Sequence, residues 1–250
     1  MDMKLITLSL LLISFSVNVF GQTPGGVPTT NLVSWQKPDG INSGTIVGGA
    51  SVTVWDDESG NGNGYGNSST AKPKIVVGDA NGFDVVEFDG SNDYLEGTGV
   101  NYQARTVFVV FKASSGLQST SDLAQIWGHY TSGVQLSLEA RQGTSRPYSI
   151  DGNGSSQGKV AINGEQYGAS GENPASPTQW EYDEYMIATL ELDALSPTLT
   201  THIIGDLVSP ANHNFGGQIA EIIVYNSLLS DSFEKLRVNN YLGNKYAINL

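Results

Sequence analysis

Thr106-Val107-Phe108-Val109-Val110-Phe111-Lys112 is the stretch on which the fold turns. Val107, Val109 and Phe111 share one parity, and Phe108 and Val110 share the other, so a strand here is apolar on both faces. Only a central strand with cover on each side suits that pattern. Working outward, Val134, Leu136, Leu138 and Ala140 alternate with Gln135, Ser137, Glu139 and Arg141, which predicts one core face and one wet face. Met186, Ala188, Leu190 and Leu192 face inward in the same way, against Tyr185, Ile187, Thr189 and Glu191. Lys159 to Ile162 runs into Asn163-Gly164, the favoured type I′ hairpin pair, with Tyr167 on the return strand. A late strand is predicted over 218–225.

Between these runs lie clusters of Gly, Asn, Asp and Ser, and the 30 glycines of the chain punctuate it as an all-β protein. One segment reads as helix: Asp231 with Glu234 resembles a capping box, and the pattern ends near Gly243. The N-terminus has another character. Lys4 precedes an apolar run from Leu5 to Val17, and Val19 and Gly21 suit a cleavage site, so residues 1–21 read as a secretory signal. The run is short of the ~20 residues a spanning helix needs. Residues 22–31 form a Pro/Gly/Thr leader expected to be flexible and exposed, and 32–250 one β-rich domain. The expected product is secreted, at the cell surface or periplasmic, with no membrane insertion.

The chain has no cysteine, which excludes disulfides and thiolate zinc sites and leaves packing to supply stability. Its net charge of −13 argues against nucleic acid and anionic membranes as partners, and is compatible with neutral sugars, cations or basic protein surfaces.

Five segments, in order, resemble the laminin-G-like, concanavalin A-like lectin/glucanase superfamily. They are Trp55-Asp56-Asp57-Glu58-Ser59-Gly60-Asn61-Gly62-Asn63, Val86 to Leu95, Thr106 to Lys112, Gly217 to Asn226, and Tyr241 to Tyr246. The resemblance covers Leu32 to the C-terminus and is of the kind found in secreted Bacteroidetes-type proteins. It implies an all-β, two-sheet antiparallel β-sandwich, a jelly roll, with one short C-terminal helix. That fold carries lectins, adhesion modules, glucanases and lyases, so function rests on the site.

Glucanases of this superfamily place Glu-x-Asp-x-x-Glu on one strand, because glycoside hydrolysis needs two carboxyls flanking the scissile bond. Here Glu191-Leu192-Asp193-Ala194-Leu195-Ser196 ends in Ser, which removes the proton donor. The three histidines, His129, His202 and His213, have no metal-binding spacing, and no Gly-x-Ser-x-Gly elbow is present. A non-catalytic protein is therefore expected, with a carbohydrate-active enzyme of the same fold as the alternative, either a glycoside hydrolase or a lyase using Arg141 and Tyr130 or His129.

Calcium is the expected cofactor, with Asp56, Asp57 and Asn61 in one oxygen-rich loop and Asp89 and Asp93 in another. Asx turns account for the same residues structurally. Glycan binding calls for aromatic faces beside amides and acids. Trp127, His129 and Tyr130, with Gln135, Glu139 and Arg141, form one candidate patch, and Trp180, Tyr182 and Tyr185 a second. Core packing is the competing account for each Trp, and weighs at least as much as binding for Trp35 and Trp55. The expected ligand is a glycan or cell-surface glycoprotein; a structural adhesion protein with a protein ligand fits the same sequence.

Overall fold

The computed structural model describes residues 23–115, 124–131, 134–140, 148–152, 158–169, 182–196, 198–206 and 214–250. The expected signal segment lies outside them. Fifteen strands follow one another: β1 (Leu32–Gln36), β2 (Val54–Trp55), β3 (Tyr65–Gly66), β4 (Lys74–Ala80), β5 (Phe83–Asp89), β6 (Leu95–Tyr102), β7 (Thr106–Ala113) and β8 (Ala124–Thr131). Then come β9 (Val134–Ala140), β10 (Tyr148–Gly152), β11 (Gly158–Ile162), β12 (Glu165–Ala169), β13 (Met186–Leu192), β14 (Leu199–Ile204) and β15 (Gly216–Tyr225), and the chain closes with helix α1 (Leu236–Tyr246).

They form two antiparallel sheets. The eight-stranded sheet runs β12-β11-β13-β7-β15-β5-β4, with β1 also paired to β15; the seven-stranded sheet runs β10-β9-β8-β14-β6-β3-β2. The architecture is a two-sheet antiparallel β-sandwich with one C-terminal α-helix. The decisive strand behaves as its parity dictates. Val107, Val109 and Phe111 join the core between the sheets, with Trp55, Phe88, Trp127 and Leu190. Phe108 and Val110 join a second core on the outer face of the eight-stranded sheet, with Trp35, Ile223, Val238 and Leu242. Burying a large apolar side chain stabilises by about 1.5–3 kcal/mol, so a strand that buries both faces contributes twice over.

Helix α1 supplies the second layer, and the chain end differs from the expected one in two ways. The cap is Ser230, whose Oγ accepts from Glu234 N at 3.3 Å while Ser230 N donates to Glu234 Oε2 at 2.9 Å. One π turn over Asp231–Lys235 then leads into α1. The helix runs past Gly243 and stops at Ala247, which is left-handed at φ 56°. The leader is also not a free tail over its described part. Val27 is buried in the outer core, and Arg237 Nε on α1 donates to Gly25 O at 3.1 Å. A Cβ on Gly25 would come within 2.4 Å of Arg237 O, so the close approach requires glycine there.

Asn163 and Gly164 take the predicted turn, at φ 48° and 83°, and join β11 to β12. Register shifts break the simple alternation in several strand pairs, and those on β15 and β8 redirect buried side chains. On β15 the register passes from Ile219–Phe111 to Glu221–Val110, so Ala220 and Glu221 both lie on the helix side. On β8 the register shifts between Gln125 and Trp127, and Ile126 and Trp127 both enter the inter-sheet core. No helix among the described residues is long and apolar enough to cross a membrane.

Candidate functional site

The outer face of the eight-stranded sheet falls into zones. Its middle is apolar and closed by α1. Towards the start of β13 the cover ends and the outward positions become polar: Lys112 on β7, Gln218 on β15 and Glu87 on β5 stand in consecutive cross-strand register. Tyr185, immediately before β13, borders this row. Asp79 reaches it from the β4–β5 hairpin, whose tip folds over the sheet: Asn81 Nδ2 donates to Lys245 O at 2.9 Å, and Phe83 packs edge-on to Tyr246 at 5.6 Å between ring centroids.

The groups interlock. Lys112 Nζ lies 2.6 Å from Asp79 Oδ2 and 4.7 Å from the centre of the Tyr185 ring. The single Tyr185 Oη proton is shared between two acceptors, Asp79 Oδ2 at 2.9 Å and Gln218 Oε1. Gln218 Nε2 donates to Glu87 Oε1 at 3.2 Å. The Lys112 ammonium bonded to Asp79 holds that carboxyl below its ordinary 3.8. Burial, and then Asp79, push the Tyr185 hydroxyl well above its usual value, so it stays a donor. The result is a belt of interlocked donors and acceptors beside an aromatic ring.

Of the expected ligand-binding residues, Tyr185 alone contributes a described side chain to this belt. Trp127 is a correction: it is fully buried between the sheets, its Nε1 donating to Tyr65 Oη at 3.3 Å, because the β8 bulge turns it inward. Glu139 is a second correction. It is fully buried and not on a wet face, standing in register between Gln125, itself buried, and Ser149. Tyr182 packs against the inter-sheet core while Tyr185 packs on the outer side, so they do not form one patch. The backbone register sets Tyr130 opposite Gln135 and His129 opposite His202. Arg141 and Trp180 lie outside the described residues.

The expected calcium loops serve the backbone. Asp57 Oδ1 accepts from Trp35 N at 2.8 Å and Ser59 N at 2.9 Å, and its Oδ2 accepts from Ser59 Oγ at 2.8 Å and Asn63 N at 2.9 Å. Asn61 Nδ2 donates to Leu32 O at 2.8 Å, and Asn63 Nδ2 to Val33 O at 2.6 Å. The loop thereby satisfies the edge of β1 that β15 does not pair. Asp89 Oδ1 accepts from Ser91 N at 2.8 Å, and Asp93 Oδ2 from Asp89 N at 3.0 Å. Asp56 sits beside the first knot without joining it. Among the described residues, no group of three or more His, Cys, Asp or Glu is placed to hold a metal ion.

The broken carboxylate motif is likewise committed elsewhere. Glu191 is paired with Lys235, and buried Ser196 Oγ accepts from Ala104 N at 2.8 Å. Sequence reasoning missed Asp79, Glu87, Lys112 and Gln218. The available signal was parity: Lys112 ends the apolar run on the face of Phe108 and Val110, where a charge marks the end of the helix cover.

These features define a β-sandwich with one helix-sealed outer face and a polar belt at its open end. No protein-family model matches the chain, and no curated protein does. Among solved structures, the chain is similar to the two that follow. The Trypanosoma rangeli sialidase in complex with the inhibitor DANA is 15% identical, with a TM-score of 0.49 over 90% of this chain and 34% of that one. Domain 4 of AbnA, a GH43 extracellular arabinanase from Geobacillus stearothermophilus, in complex with arabinotriose, is 14% identical, with a TM-score of 0.44 over 85% of this chain and 98% of that one. The chain spans about a third of the sialidase's length. Likeness at this level assigns no activity to it.

Proposed function

We propose that this chain is an exported, non-catalytic glycan-binding module of the laminin-G-like, concanavalin A-like kind. The observation that carries the reading is the belt of Tyr185, Asp79, Lys112, Gln218 and Glu87 at the polar end of a sheet face, where Tyr185, Lys112 and Glu87 are partly exposed and Gln218 lies buried among them. A sugar offers hydroxyls in fixed directions and an apolar ring face, and planar amides and carboxylates beside an aromatic edge answer both. Each belt group is already held by its neighbours, so binding freezes few rotamers. Absence of turnover is supported by the carboxylate motif, where Glu191 is engaged by Lys235 and Ser196 by Ala104.

The test is a glycan array probed with the chain lacking residues 1–21, with and without calcium chelation, beside a reducing-end assay and an absorbance assay for unsaturated products. Array binding is expected to fall in Tyr185→Ala and Gln218→Ala and to survive in the surface control Asp193→Ala. New reducing ends or unsaturated products would overturn the non-catalytic reading. Array binding unchanged in both belt variants would overturn the belt.

A further inference from the structure

A cleft opens on the same sheet face on the far side of α1 from the belt. The β11–β12 hairpin, β13 and the start of the helix line it, and it encloses about 640 Å3. That lies within the roughly 300–1,000 Å3 typical of small-molecule sites. Its charges cancel, Lys159 and Lys235 against Glu165 and Glu191.

Its polar groups are unevenly matched. Glu191 is bonded to Lys235. Thr189 Oγ1 donates to Asn239 Oδ1 at 3.2 Å, which leaves the Asn239 carboxamide nitrogen without an acceptor among the described residues. Asn163 Oδ1 accepts from Ile187 N at 2.9 Å, and its nitrogen is left in the same state. Lys159, cross-strand from Glu191, has no acid within ion-pair distance among the described residues. Three donors thus face a cleft that has no net charge. Two of them belong to side chains held by a second hydrogen bond, so they are pre-oriented.

We propose that this cleft is a second ligand site, which takes one residue of an uncharged saccharide. Hydroxyl and ring oxygens would accept from Lys159, Asn163 and Asn239, and a sugar hydroxyl would donate to Thr189 Oγ1 or to Glu191. An anionic sugar is disfavoured, because the local charge is balanced and the whole chain carries −13. The site stands independently of the belt.

Amide spectra of the ¹⁵N-labelled chain, titrated with glucose, galactose, xylose, N-acetylglucosamine and glucuronate, test it. At least one neutral sugar should shift the amides of Asn163, Gly164, Thr189 and Glu191 and leave those of Lys112 and Gln218 in place. Thr189→Val keeps the side-chain shape and should weaken that sugar roughly fivefold or more by removing the hydroxyl. Ala161, which is partly exposed at the cleft, provides a variant that leaves every hydrogen bond intact, and Ala161→Leu should abolish the shifts by filling the space. No cleft shift with any neutral sugar, shifts unchanged in Ala161→Leu, or a preference for glucuronate would each overturn the proposal. Belt variants that lose array binding while the cleft shifts remain would separate the two sites.

Discussion

Replacing Glu221 by Gln removes one charge from a site where every lone pair is in use. Glu221 is fully buried on the helix side of β15. Its Oε1 accepts from Trp35 Nε1 at 2.6 Å and Tyr241 Oη at 3.0 Å, and its Oε2 accepts from Lys245 Nζ and Tyr246 Oη, each at 2.7 Å. One carboxylate thus ties β1 and both ends of the last helical turns to the central strand. In Glu221→Gln the remaining carbonyl oxygen keeps Trp35 and Tyr241, and an NH₂ group then meets Lys245 and Tyr246. Two charge-assisted hydrogen bonds are lost, at about 1.5–3 kcal/mol each. Lys245 keeps its hydrogen bond to Tyr241 Oη at 3.3 Å and its position over the Phe83, Tyr241 and Tyr246 rings, 5.0, 5.5 and 5.0 Å from their centres. Removing one partner of a buried pair costs about 3–5 kcal/mol, so both routes arrive at a loss near 4. Urea unfolding followed by tryptophan fluorescence should show a midpoint lowered by roughly 1–2 M with an unchanged slope. Adding Lys245→Met should recover more than about 1 kcal/mol, because it removes the stranded charge. A loss under about 1 kcal/mol for Glu221→Gln, or strict additivity of the two changes, would refute the reasoning.

Asp57→Ala removes the acceptor shared by four donors of β1 and its flanking loop, of which Ser59 Oγ keeps Val33 O, and should lower stability by about 2–4 kcal/mol, while neighbouring Asp56→Ala should stay within about 0.5; equal losses in denaturant curves would contradict the assigned roles. The depressed Asp79 carboxyl contributes stability that is present above its unfolded pKa and lost as pH falls through the lower folded value. Carboxyl ¹³C titration should therefore find its midpoint below 3.8 in the parent chain and moved upward in Lys112→Met; an unmoved midpoint counts against the pair. Ala247 ends α1 in a left-handed conformation at φ 56°, so Ala247→Gly should raise stability by about 0.5–1 kcal/mol in thermal unfolding, and a decrease would show that its methyl group packs.

Several features follow from residues that act on their near neighbours, and these were legible. The two apolar parities of 107–111, the inward set Met186, Ala188, Leu190 and Leu192, and the Asn163–Gly164 turn each depend on a few consecutive side chains and on φ/ψ preference. Trp35 and Trp55, for which core packing weighed at least as much as binding, are buried. Parity, however, holds only while the strand stays in phase. The bulges at Gln125–Trp127 and Ile219–Glu221 each insert a residue, and this is what turned Trp127 into the core and Glu221 towards the helix. Nor does alternation tell whether a polar-looking position meets water. Thr189 is buried because α1 lies on it, Gln218 is buried among Tyr185 and Glu87, and Lys112 stays partly exposed because the helix does not extend over it. The amino-acid order by itself therefore determined which segments are strands and which face of each is apolar. Tertiary structure alone decided what covers the other face and brought Asp79, Lys112, Tyr185 and Gln218 together, since those residues come from four strands or turns far apart in the chain and meet only when the sheet closes.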